Sequence, residues 1–274
     1  MDYFLTDEQK EIQALARTIA EEKVVPVRAE LDEKEQFPRE ILDTLCETGL
    51  SGVFIDQKYG GFGGGVFELC LVIEQLSRAC TAVAVSYACN GLGLYPIILF
   101  GTEEQKERYL PMVATQKKLA AFGLTEPNAG SDAGGIQTSA RKDGNAYILN
   151  GTKQWITNGG EADIYVVIAL TDKSRGPRGA SAFILEKGME GFSFGKKEKK
   201  MGIRASSTTT LIFEDCRVPK ENLLGTEGKG FMIAMKNLDQ SRPGIGAQGV
   251  GLAQGALEAA VQYARERHQF GKPI

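Results

Sequence analysis

The chain has 274 residues, 42% hydrophobic and 24% charged, with a formal net charge of −3. That composition is globular, with room for more than one core. Its 32 basic and 35 acidic side chains are interspersed, so there is no basic face or tail of the kind that holds nucleic acid.

Five cysteines, Cys46, Cys70, Cys80, Cys89 and Cys216, lack CxxC spacing. An odd, scattered set fits a reducing compartment and buried apolar roles better than a disulfide framework. The start, MDYFLTDEQKE, has neither the basic-then-apolar pattern of a signal peptide nor the Arg-rich pattern of a transit peptide, and no apolar run is read as a membrane span. A cytoplasmic location is expected.

The first third reads as helices. Thr6 followed by Gln9 is a capping-box pattern, and Ile12, Leu15, Ala16 and Ile19 recur at helical spacing up to Pro26. A second helix is expected from Pro38 to Gly49, a flexible turn over the glycine run 59 to 65, and helices over 66 to 78, 81 to 100 and 103 to 115. Near Ala120 the pattern changes to β-branched and aromatic runs. Asn150-Gly151 predicts a two-residue hairpin turn inside 146 to 159. The charged run KKEKK, 196 to 200, is read as a solvated turn. From Gly230 the helical period returns to about His268, with one proline, Pro243; so long a helix needs partners to bury its apolar residues. The expected fold class is α+β: an all-α domain over 1 to 118, an antiparallel β-domain over 119 to 228, and from 229 to 274 the start of a helical bundle that continues in a longer protein.

Motif chemistry of other kinds is excluded. The glycines at 60 to 65 follow helical sequence and make no dinucleotide fingerprint, and GTEGKG, 225 to 230, lacks the Ser or Thr of a phosphate loop. His268 is the only histidine and has no neighbours at metal spacing, which rules against a metal centre and a Ser-His-Asp triad alike. It reads as a helix-end residue.

Four stretches, TEPNAGSD (125 to 132), WITNG (155 to 159), FEDCRVPKENLLG (213 to 225) and RERHQFGKPI (265 to 274), fall in an order and spacing that resemble the acyl-CoA dehydrogenase flavoproteins, closest to short-chain, butyryl-CoA-type bacterial members. The resemblance implies α,β-dehydrogenation of an acyl-CoA thioester, with FAD taking the hydride and an electron-transfer flavoprotein taking the electrons. A homodimer or homotetramer is implied too, and neither a membrane nor nucleic acid is. The alternatives are an enoyl-CoA reductase or acyl-CoA oxidase on the same scaffold, or a non-catalytic acyl-CoA or flavin binder.

By the same resemblance Phe122, Leu124 and Thr125 contact the flavin ring, and Ser131 reaches either the flavin phosphate region or the pantetheine arm of the substrate. Trp155, Ile156 and Thr157 pack on the isoalloxazine and hydrogen-bond near its N5, although Trp155 alone would read as a core residue on a hairpin strand. Arg267, Gln269 and Phe270 reach the FAD of a neighbouring subunit. Asp239 and Arg242 are substrate-binding candidates. Asn90, Leu94 and Tyr95 shape the base of the acyl pocket, where Tyr95 implies limited depth. The family's general base is a glutamate at one of two places. Here one of them is Ser241, which cannot take an α-proton, so no catalytic residue is assigned and the glutamate is expected beyond residue 274.

Overall fold

The computed structural model describes residues 4–274. Helix α1 (Asp7–Ile19) begins as a closed capping box: the Thr6 hydroxyl accepts from the Gln9 amide, and the Gln9 side chain accepts from the Thr6 amide. Two donors that a helix start leaves unpaired are thereby satisfied. A π-helical turn at Ala20–Val24 extends it. Helices α2 (Arg28–Glu33) and α3 (Arg39–Glu47) follow, with Pro38 directly before α3 and Gly49 at φ +80° after it.

The glycine run that follows is packed rather than free. A side chain at Gly61 would meet the Ile55 carbonyl at 2.0 Å, and one at Gly64 the Val53 carbonyl at 2.6 Å. Helices α4 (Val66–Ala79), α5 (Thr81–Phe100) and α6 (Glu103–Thr115) complete the helical layer. In one respect α5 departs from the sequence reading: its 20 residues are long and apolar enough to cross a membrane. They are apolar all round because 67% of that window is buried inside the protein, the setting of a core helix.

Eight strands form one sheet: β1 (Ala120–Gly123), β2 (Ser139–Asp143), β3 (Ala146–Thr157), β4 (Ile164–Leu170), β5 (Ala180–Glu186), β6 (Phe192–Phe194), β7 (Thr208–Pro219) and β8 (Leu223–Leu224). The order is β6-β7-β3-β2-β4-β5-β8, with β1 paired to β4 off this path. The sheet is mixed, not antiparallel throughout, because β1 runs parallel to β4 and β2 touches β4 in parallel at Ser139 and Leu170.

The hairpin expected at Asn150-Gly151 is absent; β3 is continuous through both residues. The tight turn lies instead at Gly144-Asn145, where Asp143 pairs with Ala146 and Gly144 has φ +58°. Asn150 and Gly151 serve a register slip against β7. The Asn150 amide group donates to Asp215 Oδ1 at 3.0 Å while its Oδ1 accepts from the Asp215 amide at 2.9 Å. Gly151 is needed at φ +143°, where a Cβ would lie 2.7 Å from Thr138 Oγ1. The charged run 196 to 200 is not wholly solvated either: Lys197 donates to the Glu35 carbonyl and Lys200 to the Ser206 carbonyl.

Helix α7 (Gly230–Glu266) runs for 37 residues through Pro243. It stops before His268, which starts a short hairpin of β9 (His268–Gln269) and β10 (Lys272–Pro273), with Nδ1 3.1 Å from the Glu266 carbonyl. Helices α7 and α4 approach closely. A Cβ on Gly251 would sit 2.2 Å from the Glu74 carbonyl, and one on Gly255 equally near that of Arg78. Arg78 also binds Glu258 at 2.6 Å. Replacing Gly251 with valine forces these backbones apart, and urea unfolding should show a loss of roughly 1–3 kcal/mol.

Candidate functional site

Strand β1 is buried along its whole length, and the chain leaves the sheet at Leu124 and Thr125 to form one wall of a cleft. The opposite wall is the far end of β3. There the pairing with β7 slips between Lys153 and Ile156, and the bulge turns Trp155 outward. Trp155 has φ +58° and is 57% exposed, so it is not a core residue. A bulky side chain in the left-handed region is strained, and such strain gathers where a ligand is held.

Beneath the cleft the two walls are joined by an ion pair. Lys153 is fully buried, and its Nζ lies 2.6 Å from Glu126 Oε1 and 3.0 Å from the Leu124 carbonyl. The same carboxylate accepts from the amides of Gln137 at 2.6 Å and Thr138 at 3.0 Å. One bond higher, the Gln154 amide donates to the Thr125 carbonyl at 2.8 Å. Burial pushes the Lys153 ammonium down to about 8 against the pull of Glu126. Burial also opposes the Glu126 charge, yet Lys153 and the bonds from 137 and 138 hold it below the usual carboxylate value.

The cleft encloses about 540 Å3. Phe122, Leu124, Thr125, Ser131, Trp155, Ile156 and Thr157, all singled out in the sequence, line it together. Helices supply the remaining wall: Cys89 and Leu92 from α5, and Phe231, Met235 and Leu238 from α7. No motif marks these five, because their spacing is that of an ordinary buried helix face. The Cys89 thiol lies 3.3 Å from the Thr157 carbonyl, and burial pushes its pKa up to about 12, so it is neutral.

A second cavity, of about 210 Å3, shares Cys89, Leu92, Thr157 and Leu238 with the first and runs between α4, α5 and α7. Tyr95 and Ser241 line it; Leu94 is fully buried and lines neither cavity. Asn90 is also buried, its Oδ1 accepting from the Ala120 amide at 2.9 Å. Asp239 and Arg242 pair with each other at 2.8 Å on the exposed side of α7, outside both linings. Arg267, Gln269 and Phe270 stand exposed beyond the end of α7, and Phe270 is 100% exposed.

Comparison with known proteins matches three consecutive segments to one family: the acyl-CoA dehydrogenase N-terminal domain over residues 6–117, the middle domain over 121–216 and the C-terminal domain over 228–274. The chain belongs to the acyl-CoA dehydrogenase family. A short-chain specific acyl-CoA dehydrogenase of Clostridium acetobutylicum is 49% identical over 100% of this chain and 73% of its own length. A chain in the structure of the electron transferring flavoprotein of Acidaminococcus fermentans superposes with a TM-score of 0.98 at 51% identity, over 100% of this chain and 72% of that one. An acyl-CoA dehydrogenase from Bacillus anthracis, solved in complex with FAD, gives 0.91 at 44% identity, over 98% of this chain and 46% of that one. The family is one of oxidoreductases, and the α, β, α order expected from the sequence is the observed one.

The buried pair can be tested by substitution. Glu126→Gln and Lys153→Met each strand a buried partner, so each should lower stability to denaturant by about 3–5 kcal/mol, and the double variant by less than the sum. The depressed Glu126 pKa makes its contribution fully present above its unfolded value of 4.5 and lost as pH falls through the lower folded value. Stability of Glu126→Gln should therefore fall less steeply on the acid side than that of the parent.

Proposed function

We propose that this protein binds FAD in the larger cleft and uses it to introduce a double bond between Cα and Cβ of a short or compact acyl-CoA thioester, passing the electrons to an electron-transfer flavoprotein. The observation that carries the reading is the adjacency of the two cavities, which share Cys89, Leu92, Thr157 and Leu238 in their linings. A slot walled by Thr125 on one side and Trp155 to Thr157 on the other adjoins, at Cys89, Leu92 and Leu238, an apolar chamber. A flat redox group in the first would lie beside an acyl chain in the second.

The side chains present suit such a group. Phe122, Leu124, Trp155 and Ile156 give apolar surface for a ring, while Thr125 and Thr157 give hydroxyls at its edges. At the mouth, Gly130 has no atom within 4 Å of where a Cβ would stand, so the backbone around Ser131 can approach a phosphate or a pantetheine arm. When bound, FAD supplies the hydride acceptor. The protein's part is to hold the acyl chain against it and to keep water from the reacting carbons, which the neutral Cys89 and the leucines of α5 and α7 do.

The helices of 1 to 118, the sheet of 119 to 228 and the helix from 229 each furnish one wall. Asp239 and Arg242, exposed on α7, are assigned to the substrate's polar portion. Arg267, Gln269 and Phe270 are assigned to the FAD of an adjoining subunit in a dimer or tetramer; their exposure at the far end of α7 supports that role. Tyr95 closes the acyl chamber and limits its depth. Among the residues lining either cavity, Asp132 alone carries a carboxylate, and Ser241 occupies the family's alternative base position. None of the residues lining either cavity is assigned as the proton acceptor.

The test is anaerobic titration of the FAD-loaded protein, expressed from its complete gene, with butyryl-CoA. The visible flavin band should bleach and recover on adding an electron-transfer flavoprotein. A coloured protein that butyryl-CoA does not bleach rules out the dehydrogenase reading, and rapid reoxidation by oxygen alone replaces it with an oxidase.

A further inference from the structure

Two neighbouring residues of α5 hold the strands that carry opposite walls of the larger cleft. Cys89 donates from Sγ to the Thr157 carbonyl of β3 at 3.3 Å, and Asn90 accepts through Oδ1 from the Ala120 amide of β1 at 2.9 Å. The tie to β3 matters because that edge of β3 has no strand beside it. Pairing with β2 ends at Ser139 and Asn150, and beyond that point β3 pairs with β7 alone. The Asn158 amide donates to the Ser207 carbonyl, on the β7 side, at 3.0 Å. By the alternation of an antiparallel strand, the Thr157 carbonyl therefore points the other way, toward α5. What it meets there is the thiol. Cys89 is only 4% exposed, and burial keeps the thiol protonated, so the donor is retained.

Thr157 and Cys89 each line both cavities. Just before Thr157 the ladder to β7 is interrupted by the register slip between Lys153 and Ile156, with φ +58° at Trp155. The placement of this strand end thus leans on what holds its far side, and a carbonyl left there without a donor would cost about 1–3 kcal/mol. We propose that Cys89 is a positioning residue of the redox site: by tethering the Thr157 carbonyl to α5, it sets where the Thr157 hydroxyl stands against the flavin edge. The inference rests on the flavin reading of the larger cleft. A donor aimed at the place where charge develops stabilises the reduced ring, and a small misplacement forfeits that gain.

Two substitutions separate tethering from packing: Cys89→Ala leaves space and Cys89→Val fills it, yet neither can donate. In the complete FAD-loaded protein without substrate, the midpoint potential should show both shifting the reduction equilibrium toward oxidised flavin by about threefold or more. With butyryl-CoA, Cys89→Ala should lower kcat about fivefold or more and leave KM within about twofold. Thr157→Val keeps the carbonyl but removes the hydroxyl. In that background, adding either Cys89 substitution should move the equilibrium by less than about 1.5-fold. An unchanged potential overturns the inference. So do shifts of opposite sign in the two Cys89 variants, which would mark packing, and a shift that persists in full without the Thr157 hydroxyl. If butyryl-CoA does not reduce the flavin, the dehydrogenase reading falls, while the substrate-free potentials still decide the role of Cys89.

Discussion

The site depends on the Lys153–Glu126 pair. An ammonium with no exposed surface is tolerated only where its charge is matched and its protons are bonded, and here one carboxylate and one carbonyl do both. The carboxylate is in turn held by two amides from the start of β2's approach, at 137 and 138. Three separate stretches, 124 to 126, 137 to 138 and 153, thus converge on a single buried charge. The segment between them is the Pro- and Gly-containing loop that rims the cleft. A loop of that composition has little apolar surface with which to order itself, so its shape is fixed by the polar anchor beneath it.

A second set of buried polar groups ties the helices to the sheet and to one another. Asn90 on α5 accepts from the Ala120 amide at 2.9 Å, Asn158 after β3 donates to the Ser86 carbonyl at 2.9 Å, and Asn237 on α7 donates to the Leu92 carbonyl at 2.9 Å. All three asparagines are buried. Hydrophobic contact alone sets no register between a helix and a strand, because it is not directional; a buried amide hydrogen bond does. Close approach completes the arrangement at Gly93, where a Cβ would stand 2.7 Å from the Ala120 side chain. The faces of α5 and α7 that reach the cleft are the ones these contacts orient.

Where local chemistry decides the structure, the sequence is readable. The Thr6 and Gln9 box, the stop at Gly49 and the change of period near Ala120 all involve residues acting on their immediate neighbours. Asn150-Gly151 misleads for the opposite reason: its turn propensity is overridden by Asp215 on a strand 65 positions away, and Gly144-Asn145 makes the turn with less conspicuous residues. Likewise α5 resembles a membrane helix because a window of sequence does not reveal that protein surrounds it. At the site, the short stretches 125 to 132 and 155 to 157 stand out as motifs and do meet across one cleft. The helix-borne half of the lining does not stand out, and Lys153 reads as an ordinary strand lysine until Glu126 is seen beneath it.

The bulge at Lys153 to Ile156 links these themes. Alternation along an uninterrupted β3 would put Lys153 and Trp155 on the same face of the sheet. The structure gives Lys153 no exposure and Trp155 57%, and the register slip between them, with φ of +58° at Trp155, reconciles the two. One interrupted strand therefore sends a charge inward to anchor the loop and an indole outward to wall the cleft. The left-handed backbone at Trp155 costs of order 1–3 kcal/mol, and the bonds from Lys153 and from the Gln154 amide on the preceding residues hold it in place. Anchor and wall are separated by a single residue, so relaxing the strain at Trp155 would also pull on the ion pair that shapes the opposite wall.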